Sequence, residues 1–209
     1  MQNTAAISNY NFKISKGNEL EELIPEIAKA RLELFKEFPY LYEGTYENEL
    51  KYLTDFVKNP KSIILTAHEA DKLIAFVTAT AVESGFDLTE AIKDLMQKED
   101  IDTSKYFYIS EMMVYPEFRS FELQNKLKKD IENYAKENSY TKVCFLSVFR
   151  ENDHPLRPEG YKEISRLWKF NKYHKTDIST EFEWNTVQKD SESKLMNNRL
   201  DLWEKKLTK

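Results

Sequence analysis

The chain has 209 residues, 41% of them hydrophobic and 13% aromatic, a composition that can bury a substantial core and excludes a disordered protein. Its 36 acidic and 31 basic residues are dispersed along the chain and give a net charge of -5, so no basic stripe for nucleic acid is expected. No apolar run approaches the roughly 20 residues that span a bilayer, and the first 16 residues lack the order of a signal peptide, so we expect a cytoplasmic protein.

The first third of the chain predicts an edge strand followed by two helices. The strand is predicted over residues 11–15. Apolar side chains then recur at three- and four-residue spacing from Leu20 to Leu32, which indicates a helix with one buried face. This helix is expected to end near Pro39, because the residue before a proline disfavours helical geometry. A second helix is predicted over residues 46–57.

The next segments predict an antiparallel hairpin and then an inserted helix. Residues 62–69 and 72–82 are rich in β-forming side chains and are separated by a short polar turn, the pattern of a hairpin. Asp87 and Glu90 resemble a capping box, so a helix is expected to begin there and to run to about residue 98.

The second half of the chain predicts one parallel crossover. A strand over residues 106–114 leads to a helix whose apolar stripe runs from Leu123 to Tyr134. The nearly continuous apolar run at residues 142–149 is typical of a strand covered on both faces and parallel to its predecessor. Strand, helix and strand then form a right-handed crossover.

The last segment predicts a short helix and a terminal hairpin. The helix is expected over residues 160–168, and the two strands over residues 180–187 and 199–206, with a polar turn at residues 190–193. With no repeat and no linker, residues 1–209 are expected to form one domain. The element order fits a mixed sheet of the α/β (α+β) class with helices on both faces.

Residues 114–119 read V-Y-P-E-F-R, which resembles the V-x-P-x-[FY]-R motif of the GCN5-related N-acetyltransferase (GNAT) superfamily. Three further segments are similar to one bacterial branch: residues 30–44 with F-P-Y-L-Y-E-G, residues 108–114, and residues 153–161 with H-P-L-R-P. The resemblance implies the acyl-CoA N-acyltransferase fold, a mostly antiparallel sheet of six or seven strands with one parallel pair splayed at its centre. It also implies transfer of an acetyl group from acetyl-CoA to a primary amine of a small molecule or peptide.

The family holds the coenzyme's pyrophosphate in a [QR]-x-x-G-x-[GA] loop, through backbone N–H groups and the positive end of the next helix. Here the loop reads R-S-F-E-L-Q, so Arg119 is kept and both small residues are lost, at Glu122 and Gln124. A carboxylate within about 6 Å of a phosphate would cost on the order of 1 to 3 kcal/mol, unless it points outward. The resemblance implies coenzyme contacts from the following residues: Met112, Met113, Val114, Arg119, Ser120, Phe121, Glu122, Leu123, Gln124 and Asn152.

Glu111 is the candidate base, because it interrupts an otherwise apolar strand and occupies the glutamate position of the family pattern. The alternative is a plain ion pair with a neighbour such as Arg150. We expect the two parallel strands to part just beyond Glu111. Tyr161 is the candidate proton donor to the leaving thiolate, and simple packing is the alternative.

The family's acceptor site is walled by the first two helices and their connection. The resemblance therefore implies these substrate-side candidates: Phe38, Tyr40, Tyr42, Glu43 and Tyr46. His154, in the H-P-L-R-P segment, is a further candidate for the acceptor site or for a base. A hydrophobic staple between two helices would explain the same aromatic cluster. The three histidines show no metal spacing, so no metal is expected, and the single Cys144 is expected to be a small buried side chain.

Two other functions stay open from sequence. The first is a catalytically degenerate protein of this fold that acts as a binding or interaction module. The second is an enzyme of this fold that uses an enlarged or different acyl donor in place of acetyl-CoA. Pairing of two copies through the C-terminal strands would make a homodimer.

Overall fold

The computed structural model describes residues 7–85, 88–190 and 192–208. In this part of the chain seven strands form one sheet: β1 Tyr10–Lys16, β2 Ile63–Glu69, β3 Lys72–Ala81, β4 Tyr106–Val114, β5 Lys142–Val148, β6 His174–Val187 and β7 Ser193–Lys206. The order is β1-β2-β3-β4-β5-β7-β6, and every neighbouring pair is antiparallel except β4 and β5. The predicted fold class is confirmed.

Five α-helices accompany the sheet in the described residues: α1 Ile24–Leu34, α2 Tyr46–Lys58, α3 Leu88–Lys98, α4 Phe121–Glu137 and α5 Ser165–Phe170. Two of them begin at residues that satisfy free backbone N–H groups. The Thr45 side chain accepts a hydrogen bond from the backbone N–H of Asn48 before α2, and the Ser120 side chain accepts one from Leu123 before α4. None of the helices within the described residues is long and apolar enough to cross a bilayer.

Helices cover both faces of the sheet. The apolar stripe of α4, which includes Leu123, Leu127 and Ile131, packs with Phe107 and Phe145 on one face. The apolar sides of α1 and α2 pack on the other face, against β2, β3 and the end of β4. The α3 side chains Ile92 and Met96 belong to a third cluster, with residues of β4, β5 and β7. The site between β4 and β5 therefore lies inside a sheet with helices on both sides.

The parallel strands pair over three residues only. Tyr106, Phe107 and Tyr108 of β4 lie opposite the first three residues of β5, and no further pairing joins these two strands within the described residues. The β3–β4 register skips Ser110, so β4 carries a bulge there, and bulges bend a strand. The strands therefore part after Tyr108, and the prediction that they part just beyond Glu111 was wrong by three residues.

Several predicted boundaries differ from the structure. The first helix ends at Leu34, five residues before Pro39, and a 3-10 segment, Gly17–Leu23, precedes it. The helix predicted over residues 160–168 begins only at Ser165, because Gly160 has φ +72, a left-handed conformation that an α-helix excludes.

The terminal hairpin is longer than predicted. Its strands β6 and β7 have 14 residues each. The part of β6 that was not predicted, residues 174–179, has a weak apolar signal, because exposed residues such as Lys175 and Asp177 alternate there with half-buried ones. Asp87, the predicted cap of α3, and part of the predicted turn at residues 190–193 lie outside the described residues.

Candidate active site

A cavity of about 770 Å³ opens where β4 and β5 part. Its walls include residues 109–114 of β4 and residues 145–148 of β5, which are the stretches beyond the last paired residues. The start of α4, the α1–α2 connection and the α5 region complete the lining. The unpaired backbone of two diverging strands is thus available to a ligand, as an inserted arm of a coenzyme would require.

Glu111 lies in this cavity wall and is only 7% exposed. It forms an ion pair with Arg31 of α1, which also binds Glu49 of α2. The other carboxylate oxygen of Glu111, Oε2, is buried and has no hydrogen-bond partner among the described residues. A buried carboxylate oxygen is costly to leave unpaired, so this atom calls for an explanation, and a ligand site is one.

The Arg31 guanidinium is held by more than its ion pairs. It lies over the rings of Tyr52 and Phe35, 4.3 and 4.9 Å from their centroids. The Tyr42 hydroxyl donates a hydrogen bond of 2.6 Å to Oε1 of Glu49. The network therefore fixes the position of Glu111 from α1, α2 and their connection.

The ion pair considered as the alternative for Glu111 is found, but its partner is Arg31 and not Arg150. Arg150 donates instead to the backbone carbonyls of Pro39, at 2.8 Å, and Tyr40, at 3.0 Å. It holds the α1–α2 connection against the end of β5. Arg31 and Glu111 are far apart in the sequence. Their pairing could not be predicted, because nothing in the sequence shows which buried charges form ion pairs.

Arg119, the residue retained from the family's pyrophosphate loop, is engaged by the protein itself. Its Nε donates to the carbonyl of Val114 at 3.0 Å, and its Nη2 donates to Oε2 of Glu37 at 2.7 Å. Glu122 is exposed and does not line the cavity. The outward orientation considered for Glu122 is the one found, so the expected repulsion of a phosphate is weakened by distance and solvent.

The other residues of the altered loop divide between core and cavity. Ser120, Phe121 and Gln124 line the cavity, whereas Leu123 is fully buried in the core under α4. The following α4 turns bring one lysine to the site. Lys128 lines the cavity and donates a hydrogen bond of 2.6 Å to Oδ1 of Asn171, and burial lowers the pKa of Lys128.

Tyr161 lies in the cavity wall with Tyr40 and Phe38. Its ring meets that of Phe38 edge to face, with centroids 4.7 Å apart. Burial, and then the nearby Glu163 carboxylate, raise the pKa of Tyr161, so its hydroxyl stays protonated at neutral pH. Burial also raises the pKa of Tyr40 to about 12.

The structure brings only part of the predicted substrate side into the cavity. Tyr42 binds Glu49, and Glu43 pairs with Lys36 at 2.8 Å, so neither of them lines it. His154 lies behind Phe38, with ring centroids 5.6 Å apart. Burial, and then the charge of a neighbouring arginine, lower the pKa of His154.

Asn152, predicted to touch the coenzyme, lines a second cavity of about 290 Å³. This smaller cavity shares Phe38, Ser147 and Tyr161 with the large one, so the two are neighbours. Among the three β4 residues predicted beside the coenzyme, Met112, Met113 and Val114 all line the large cavity.

The sequence reasoning missed Arg31 and Glu49 as members of the site. The sequence does indicate that each of these charged residues lies on a buried helix face. Arg31 follows Ile27 and Ala28 at the spacing of the buried stripe of α1, and Glu49 precedes the buried Leu53 of α2 by one turn. Charged residues at apolar stripe positions are expensive unless they are paired or functional.

The mixed seven-stranded sheet of the described residues, in which one parallel pair splays around a cavity, matches the acyl-CoA N-acyltransferase fold. The chain belongs to the acetyltransferase (GNAT) family, because the sequence model of that family matches residues 27–157, more than half of its length. No curated protein matches the chain.

Solved structures agree on the fold. An N-acetyltransferase from Staphylococcus aureus Mu50 superposes with a TM-score of 0.57 at 12% identity, covering 96% of this chain and 99% of that one. NAA60 of Arabidopsis thaliana in complex with acetyl-CoA gives a TM-score of 0.55 at 14% identity, covering 95% and 98%. The ribosomal-protein-S18-alanine N-acetyltransferase of Escherichia coli gives 0.54 at 6% identity, covering 95% and 96%. At such identities the likeness shows the fold alone.

Proposed function

We propose that this chain transfers the acetyl group of acetyl-CoA to a primary amine of a small molecule or peptide, with Glu111 as the base. The observation that carries the proposal is the buried Oε2 of Glu111, which has no hydrogen-bond partner among the described residues and belongs to a cavity-lining side chain. Membership of the acetyltransferase family supports the reaction class.

Acetyl-CoA supplies an activated thioester. The fit of such a coenzyme is supported by the parting of β4 and β5. Residues 109–114 pair with β3 on one edge, and their other edge, toward β5, has no strand partner in the described chain. Backbone N–H groups near Met113 and Val114 are suited to polarise the acetyl carbonyl oxygen. The side chains of these two residues pack in the core and are not needed for that role.

Glu111 takes a proton from the amine as the amine nitrogen attacks the thioester carbonyl carbon. The bond from that carbon to sulfur breaks, and the Tyr161 hydroxyl donates a proton to the leaving thiolate. Solvent then restores the proton of Tyr161 and removes that of Glu111. The raised pKa of Tyr161 supports its role as a donor, because the hydroxyl keeps its proton at neutral pH.

An amine acceptor is supported by the chemistry of the cavity wall. The rings of Phe38, Tyr40 and Tyr161 lie near a carboxylate whose free oxygen can accept from N–H donors. Aromatic faces attract a cationic amine on its way to the site, and the carboxylate then receives its proton.

Two measurements on the full chain test the proposal. Calorimetric titration with acetyl-CoA is expected to give saturable binding, and a ligand at 100 times its dissociation constant adds about 2.7 kcal/mol of stability. An assay of free thiol with a panel of primary amines is expected to show release of coenzyme A that depends on the amine. Failure to bind acetyl-CoA at millimolar concentration would favour a catalytically degenerate protein, and binding without release would point to another acceptor class.

A further inference from the structure

Two exposed phenylalanines lie at the mouth of the large cavity. Phe121, the first residue of α4, lines the cavity and is 49% exposed, and Phe170, the last residue of α5, is 69% exposed. Their rings meet edge to face, with centroids 5.4 Å apart. Ile164, also exposed, lines the same cavity. These three are half of the six large apolar side chains that the described residues expose, so apolar surface is concentrated at this opening.

Two cations lie along the same rim. Lys162 and Arg166 line the cavity and are exposed, and neither takes part in an ion pair within the described part of the chain. The other arginines nearby are engaged, since Arg119 binds Glu37 at 2.7 Å and Arg157 binds Glu163 at 2.6 Å. The unpaired positive charge at the cavity mouth therefore comes from Lys162 and Arg166, and not from Arg119 of the altered loop.

Exposed aromatic rings beside unpaired cations are suited to one kind of ligand group. A purine ring stacks on an aromatic face whatever its hydrogen-bonding pattern, and a guanidinium or ammonium binds the phosphates attached to it. An amine acceptor would meet repulsion from Lys162 and Arg166, so the rim suits the anionic end of the coenzyme and not the acceptor.

We propose that Phe121, Phe170, Lys162 and Arg166 form a binding site for the adenosine half of coenzyme A. The rings receive the adenine, and the two cations receive its phosphate groups. The inference rests on the proposed function, because it takes coenzyme A as the ligand. It assigns to the α5 side part of the phosphate binding that the altered loop is expected to lose, and it makes Phe121 a contact of the adenine.

Calorimetry with two ligands tests the aromatic part. Coenzyme A and 4′-phosphopantetheine share the arm and differ in the adenosine half. The double variant Phe121→Ala/Phe170→Ala is expected to raise the Kd of coenzyme A at least about tenfold, or about 1.4 kcal/mol, and that of 4′-phosphopantetheine less than about twofold. Leu195→Ala, which removes an exposed apolar side chain of β7 remote from the cavity lining, is the matched control and is expected to change neither Kd.

The cationic part is tested with Arg166→Gln. This variant is expected to weaken coenzyme A about fivefold at low salt and by less at about 0.5 M salt, because phosphate contacts are screened. The control Lys194→Gln removes an exposed charge of β7 and is expected to have no effect. All variants change exposed side chains, so their melting temperatures should match that of the wild type.

The outcomes separate this inference from the proposed function. Equal losses for both ligands, no loss for coenzyme A, or a wild type that binds 4′-phosphopantetheine as tightly as coenzyme A would each overturn the adenosine site while leaving acetyl transfer intact. A wild type that binds neither ligand would contradict the proposed function itself and the inference with it.

Discussion

Arg31 of α1 and Glu111 of β4 form an ion pair beside the cavity where the two parallel strands part. Arg31 also binds Glu49 of α2, so one buried guanidinium serves two buried carboxylates. This arrangement ties both helices to the strand that carries the proposed base. It also occupies one oxygen of Glu111, while the other, Oε2, is buried and has no hydrogen-bond partner among the described residues.

Replacing the proposed base is expected to stop the chemistry and spare coenzyme binding. Glu111→Gln keeps the side-chain volume but cannot take a proton, so turnover should fall at least about 100-fold. The Kd of acetyl-CoA should stay within about twofold, because the lost group acts on the acceptor. Steady-state kinetics and calorimetry measure the two effects. Glu117→Gln, on the exposed surface, is the control, and unchanged turnover in Glu111→Gln would remove Glu111 from the mechanism.

The proposed proton donor makes a prediction about pH. Burial and the Glu163 carboxylate raise the pKa of Tyr161, so the donor form persists to a higher pH than that of a free tyrosine. Wild-type turnover should therefore show no alkaline decline below about pH 10 from this group. Tyr161→Phe should lower turnover about tenfold or more with little change in the Kd of acetyl-CoA. Tyr134→Phe, which removes a tyrosine hydroxyl outside the cavity lining, is the control. A Tyr161→Phe enzyme as fast as the wild type would leave that tyrosine a packing role.

The buried ion pairs make a prediction about stability. Arg31→Met removes the guanidinium that Glu49 and Glu111 share and leaves two carboxylates buried together, so the free energy of unfolding should fall by about 3 to 5 kcal/mol. Urea unfolding at neutral pH measures the change. Lys58→Met breaks an exposed pair with Asp55 and should leave the urea midpoint unchanged. Similar midpoints for the two variants would show that the buried network contributes little.

Glu37 competes with any phosphate for Arg119. Because Oε2 of Glu37 accepts from Nη2 of Arg119 at 2.7 Å, Glu37→Gln should weaken this interaction and remove a negative charge from the cavity wall. The Kd of acetyl-CoA is expected to fall about fivefold at low salt, and the gain should shrink as salt rises. Glu122→Gln, which removes an exposed charge outside the cavity, should change the Kd less. Weaker binding in Glu37→Gln would mean that Glu37 positions Arg119 for the coenzyme.

Local patterns determined much of the fold. The bounds of β4, Tyr106–Val114, follow from its apolar run and the proline that comes two residues after its end, and the hairpin of β2 and β3 follows from alternating β-rich runs around a polar turn. The parallel pairing of β4 with β5 was predictable because a helix of 17 residues lies between them. Glu111 was identifiable because a charged residue interrupts an apolar strand.

Only the tertiary structure decided which charges meet and where the strands part. The partner of Glu111 lies 80 positions earlier in the chain, and Arg119 faces Glu37 across a similar distance. The role proposed for Arg166 of α5 and for the preceding Lys162 depends on the approach of α5 to the start of α4. The periodicity of apolar residues indicates which face of a helix is buried, because the residues of one face are three or four positions apart in the sequence. The pairing of charges depends on how whole helices and strands pack, and no local spacing records it.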